Sequence, residues 1–125
     1  MTKELMDDAQ QWAAHLAKED RFTYRQNSKY GENLYCLWSS DRNAKANAKD
    51  VCRAWYSEGK DFVWNIEPKK GVLKAGQFSQ IIWKSTKELG VGVSQTKNGK
   101  VIIVCNYQPC GNIIGLFQAN VGKMN

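Results

Sequence analysis

Four cysteines and a single histidine are the side chains of this chain with the most obvious chemistry. Cys36, Cys52, Cys105 and Cys110 have 15, 52 and 4 residues between them. That is not the spacing of paired zinc knuckles, and His15 is the only imidazole. Four thiols can pair as two disulfides in three ways, and four reduced thiols fit the sequence equally well. Cys105 and Cys110 bracket Pro109, a turn former, so a local bridge between them is possible; as free thiols, Cys52 and Cys105 are expected to be buried. The other suggestive stretch is AGQFSQIIWKST at residues 75–86. Phe78, Ile81, Ile82 and Trp83 recur at helical spacing, while Gln77 and Gln80, three apart, share a neighbouring face. A short helix of this kind packs its apolar side into a core and offers a polar side chain from its first turn to a cleft.

The rest of the chain must supply that core and that cleft. A chain of 125 residues is long enough for one cored domain, spanning 1–125. With 42% hydrophobic and 24% charged residues, the composition is that of an ordinary globular protein. Five Trp and five Tyr are many for this length, so some are expected to be partly exposed. The net charge of +6 favours an anionic partner such as a membrane surface or nucleic acid, with solubility alone as the plain alternative. The basic residues are scattered and no nucleic-acid motif is present, so no nucleic-acid partner is expected. No run approaches the about 20 apolar residues of a membrane span. The opening MTKELMDD has no apolar leader core, and Thr2 does not fit N-myristoylation, so either the protein is cytosolic or its natural start lies elsewhere.

Residues 4–19 predict a helix, with Leu5, Ala9, Trp12, Ala13 and Leu16 on one stripe and His15 off it, at the surface. Residues 20–31 read as irregular, and 33–38 as a short strand. A second helix is expected over 44–60, stopped by Gly59, followed by a Lys-rich loop over 62–76. Residues 89–96 and 101–107 read as strands joined around Asn98-Gly99, a strong hairpin signal. Val101 to Val104 form a continuous apolar run, as in a strand buried on both faces, so helices should cover both sides of a small sheet. A short run over 116–121 closes the chain.

Five ordered stretches resemble one family: AQQWAAHLA at 9–17, GENLY at 31–35, AWYSE at 54–58, GQFSQIIWKSTKELGVGV at 76–93 and IIVCNYQPCGNI at 102–113. Together they resemble the CAP (SCP-domain) superfamily of cysteine-rich secretory, antigen 5 and pathogenesis-related 1 proteins, nearest to its short, Golgi-associated members. The resemblance implies an α+β fold: an α–β–α sandwich with a small, mainly antiparallel sheet between helices. It also implies one more helix before residue 9, so that 5–17 is the family's second helix and the first is missing.

The family's cleft holds two His and two Glu, a set able to bind zinc. Carried over position by position, the acids are Glu32 and Glu58, but the histidine positions hold Tyr24 and Gln77. A phenol neutral at pH 7 is a poor zinc ligand, and an amide is neither acid nor base there. The resemblance therefore implies a degenerate cleft with no metal, no cofactor and no catalytic residue. In it, Tyr24 and Gln77 are expected to hydrogen-bond the acids. The plainer alternative has Glu32 anchoring a loop and Glu58 on a helix surface.

Several family members are similar in binding sterols, fatty acids or acidic lipids. Tyr30, Tyr35 and Trp38 match the spacing of a caveolin-type aromatic motif, and Lys60, Lys69, Lys70 and Lys74 flank the loop before the Gly76 segment. The expected function is non-enzymatic binding of lipid, sterol or an acidic membrane surface. A secreted protein-interaction module in defence or host contact is the alternative, and a hydrolase using Glu32 and Glu58 a weaker one. The resemblance implies an extracellular location; the absent leader and the likeness to Golgi-associated members point instead to the cytoplasm or the Golgi surface.

Overall fold

The computed structural model describes residues 2–26, 28–38, 47–62, 64, 67 and 75–122. Helix α1 (Lys3–Glu19) begins at Thr2, whose hydroxyl accepts the Leu5 N–H at 3.3 Å, and ends at Asp20, in the left-handed region at φ 49°. Its buried stripe is Leu5, Ala9, Ala13, Leu16 and Ala17; Trp12 is half-buried at its margin. His15 is exposed and stacks on Trp12 with centroids 5.1 Å apart.

Strands β1 (Gly31–Leu37), β2 (Glu88–Gln95) and β3 (Val101–Gln108) form an antiparallel sheet in the order β1–β3–β2. The β2–β3 hairpin turns at Gly99, where φ is 93° and a side chain would be strained. β3 is buried from Val101 to Tyr107, the consequence of its apolar run and its central place. Strand alternation sorts its side chains. Ile102 and Val104 join Leu34 under α1, while Val101, Ile103, Cys105 and Tyr107 face the other way, toward Val51 and Trp55. Those two residues lie on helix α2 (Ala48–Ser57), which runs into a 3-10 turn over Glu58–Asp61. Helix α3 (Gly76–Ile81) contributes Phe78 to a third cluster with Trp83, Phe117 and Val121, the Phe from helix α4 (Phe117–Asn120). The sandwich is as expected.

Several boundaries differ. β1 starts at Gly31, and α3 is one and a half turns long because Ile82, at φ −103° and ψ 5°, leaves the helical region. Residues 39–46 lie outside the described set, so the expected start of the second helix there is untested; the described helix begins at Ala48, after an Asn47 cap. α1 lies so close to the sheet that a Cβ at Gly92 would come within 2.4 Å of the Ala9 backbone, and one at Gly90 within 2.3 Å of Leu5. Among the described residues, no helix is long and apolar enough to cross a membrane.

Candidate functional site

A cleft of about 690 Å³ opens where β1, α3, the 3-10 turn and the segments 24–25, 28–30 and 110–112 meet. Tyr24, Glu32, Glu58 and Gln77 all line it, so residues 53 positions apart in sequence are brought together by the fold. Gly31 forms part of its wall because a Cβ there would lie 2.0 Å from Oε1 of the buried Gln80. Gln80 in turn accepts the Gly111 N–H at 3.0 Å and donates to Thr86 Oγ1 at 3.2 Å.

The Gln77 side chain does not serve the acids. Its Oε1 accepts the Leu34 N–H at 2.8 Å and its Nε2 donates to the Leu34 carbonyl at 2.6 Å. β1 is an edge strand, and the side chain occupies its free edge as the peptide group of a further strand would. Trp55 Nε1 donates to the same carbonyl at 3.0 Å. Gln10 of α1 does the same at the opposite edge: it accepts the Val93 N–H at 2.9 Å and donates to the Val93 carbonyl at 2.8 Å. Each edge of the sheet is thus clamped by one glutamine.

Glu58 sits at the start of the 3-10 turn, and its carboxylate accepts the backbone N–H groups of Gln77 and Phe78. It thereby meets donors that the first turn of α3 leaves free, since Ala75 offers no capping side chain. Burial still raises its carboxyl above the usual range, against those two hydrogen bonds. Glu32 faces α1, and its Oε1 accepts the Arg25 N–H at 3.2 Å, anchoring the preceding loop. Burial pushes it up to about 7, with Arg25 opposing the shift and Asp8 adding to it. Tyr24 is 53% exposed, and its phenol is raised by partial burial and by the charges of Glu58 and Glu32. Among the described residues, no group of three or more His, Cys, Asp or Glu side chains is placed to hold a metal ion.

Sequence reasoning missed the support behind Glu32. Arg25 pairs with Asp8 at 3.1 Å, lies 5.1 Å from the Trp12 ring centroid, and leaves its buried Nε without a hydrogen bond. Asn106, 1% exposed, donates to Asp8 at 2.7 Å. No periodic signal marks Asp8, Arg25 or Asn106, because their partners are 17 or more residues away.

The aromatic set is split. Tyr30 is 5% exposed and its hydroxyl donates to Glu4 at 2.7 Å. Tyr35 packs edge-on to Trp55 on the α2 face, whereas Trp38 is exposed beside Lys100. Strand alternation forbids a common surface for the three. Lys60 is exposed, while Lys69, Lys70 and Lys74 lie outside the described residues. The bridge between Cys105 and Cys110 is not formed: all four cysteines are free. Cys105 is committed to the core facing α2, with its thiol pushed up to about 12 by burial, whereas Cys110 lines the cleft. Cys52, expected to be buried, is exposed because Val51 and Trp55 take the inner face of α2.

The family model described as "CAP: Cysteine-rich secretory protein family" matches residues 2–107. Human cysteine-rich secretory protein 2 is 35% identical over 119 residues, covering 89% of this chain and 46% of that protein. Human Golgi-associated plant pathogenesis-related protein 1 is 32% identical over 126 residues, covering 97% of this chain and 77% of that protein. A solved structure described as "Crystal structure of NaASP2 with Zn2+" superposes with a TM-score of 0.66 at 27% identity, over 86% of this chain and 60% of that one. The chain spans about half the length of curated relatives such as the human secretory protein.

Proposed function

Because this chain belongs to the CAP family of cysteine-rich secretory proteins, we propose that it is a non-enzymatic binding module acting at acidic membrane surfaces. The observation that carries the non-enzymatic half is the amide of Gln77, both ends of which are held by the backbone of Leu34. A neighbour of this fold is described with Zn2+, but the residues here do not fit that ion. Gln77 has no nitrogen lone pair to offer and its Oε1 is already held by the Leu34 N–H, Tyr24 carries a phenol raised further from ionisation, and Glu58 is engaged by the first turn of α3. The same engagement of Glu58 argues against a hydrolase built on Glu32 and Glu58. Calorimetric titration with zinc tests this half: sub-micromolar binding that Glu32→Ala abolishes would overturn it.

The membrane half rests on the net charge of +6, since each basic residue near an anionic surface adds on the order of 1 kcal/mol. The relative named for the Golgi supports a membrane-surface location, and the relative named as secretory supports an extracellular one. Flotation with phosphatidylcholine vesicles, with and without phosphatidylserine, tests it. Binding is expected only with the acidic lipid and is expected to fall with salt. No binding, or binding indifferent to lipid charge and salt, replaces this reading with that of a protein-interaction module.

A further inference from the structure

We propose that the turn Ile113–Leu116 is the element this protein seats in the interface of an anionic membrane. The proposal rests on the membrane-surface reading above and adds the contact itself. Ile113, Ile114 and Leu116 are 44%, 50% and 46% exposed, within four consecutive residues. Of the other exposed large apolar side chains, Phe22 and Tyr24 lie two residues apart, with Tyr24 lining the cleft, whereas Met6, Trp38, Tyr56 and Val93 stand singly. Single exposed apolar residues need no explanation; a cluster on one turn does. At the tip, Gly115 has φ +94°, and an added Cβ would meet nothing within 4 Å, so the turn projects into open space.

The projection is held firmly from behind. The Leu116 N–H closes the turn on the Ile113 carbonyl at 3.0 Å. On one side, Asn112 donates to the Gly76 carbonyl at 2.8 Å and accepts from Ser79 Oγ at 2.5 Å. On the other, Glu67 accepts the Phe117 and Gln118 N–H groups at 2.8 and 2.6 Å, and Phe117 is 1% exposed in the core. The aliphatic side chains are therefore displayed by an ordered backbone, and little ordering remains to oppose docking.

Charge complementarity selects the occupant. The N–H of Lys84 donates to Asn120 and that of Lys87 to Gln108, which places two exposed lysines at the two ends of the segment carrying the turn. Of the acids nearby, Glu67 faces the helical N–H groups of α4, Glu58 in the cleft accepts the Gln77 and Phe78 N–H groups, and Glu88 lies beyond Lys87 on β2. An apolar tip on a segment flanked at both ends by an exposed lysine, in a chain of net charge +6, matches acyl chains under anionic headgroups.

Vesicle flotation of Ile113→Ser/Ile114→Ser against wild type tests the proposal, with Val93→Ser as an exposed apolar control. The double variant is expected to bind phosphatidylserine vesicles at least about tenfold more weakly. The control is expected to bind as wild type does, and all three proteins to melt together. Lys84→Glu/Lys87→Glu is expected to weaken binding and reduce its salt dependence. Undiminished binding of the serine double variant overturns the turn as the contact and leaves the membrane reading standing. A wild type that ignores these vesicles removes the membrane reading and the proposal with it. A concentration-dependent self-association that the double variant abolishes, with vesicle binding unchanged, assigns the turn to contact between copies and overturns the proposal.

Discussion

Replacing Gln77 by alanine deletes both hydrogen bonds to Leu34, at 2.8 and 2.6 Å. Leu34 is 3% exposed, so its N–H loses its partner where water has little access. Its carbonyl keeps the indole of Trp55 at 3.0 Å and is therefore not orphaned. One lost hydrogen bond at about 1 kcal/mol and one buried unpaired N–H at about 1–2 kcal/mol give a destabilisation of about 2–3 kcal/mol. That is roughly 30- to 150-fold in the unfolding equilibrium. Urea unfolding reads the sum, and hydrogen exchange at the Leu34 amide reads the local part. Gln77→Glu is the sharper variant. It keeps the acceptor for the Leu34 N–H but turns a second carboxylate oxygen toward the Leu34 carbonyl. Only the protonated acid can donate there, so folding favours the proton and raises the folded pKa of the introduced carboxyl. Its deficit against wild type is therefore smallest at low pH and grows as pH rises through that pKa. A loss below about 0.5 kcal/mol for Gln77→Ala would be indistinguishable from an ordinary surface change. That result, or a Gln77→Glu protein as stable as wild type at neutral pH, would refute the clamp.

Gly92→Ala is expected to cost about 3 kcal/mol or more, or to prevent folding, because its methyl group would lie 2.4 Å from the Ala9 backbone; expression and thermal melting check it. Burial raises the Glu32 carboxyl to about 7, so the folded state holds a proton that the unfolded chain, near its ordinary 4.5, has released. Unfolding free energy should accordingly fall as pH rises from about 4.5 to about 7, and Glu32→Gln should flatten that decline in a pH series of melts. Gln10→Ala opens the β2 edge at Val93, an exposed site; a loss of about 1 kcal/mol is expected, with faster exchange of the Val93 amide.

Much of the fold is legible in local pattern. The stripe of Leu5, Ala9, Ala13 and Leu16 marks α1, the unbroken run from Val101 to Val104 marks a central strand, and Asn98-Gly99 marks the hairpin. Each is a short-range signal, in which residue type and period carry the physics. Element ends were less legible. Nothing in the order of Gln80, Ile81 and Ile82 announces that α3 stops after six residues; the packing of Trp83 against Phe117 fixes the turn there. The cleft positions are legible only through likeness to a family, since Tyr24, Glu32, Glu58 and Gln77 share no spacing.

The sequence by itself determined which groups stand at positions 24 and 77, a phenol and an amide in place of imidazoles at the positions carried over from the family. What the remaining groups do was decided by tertiary structure alone. Gln77 and Leu34 are 43 residues apart, and Gln10 and Val93 are 83 apart. Only the assembled sheet creates the unpaired edges that those two amides fill. The alternation of β1 likewise separates Tyr30 and Trp38 from Tyr35, and Pro109 does not bring Cys110 to the buried Cys105. Hydrogen-bonding capacity is a property of the residue, whereas its partner is a property of the fold.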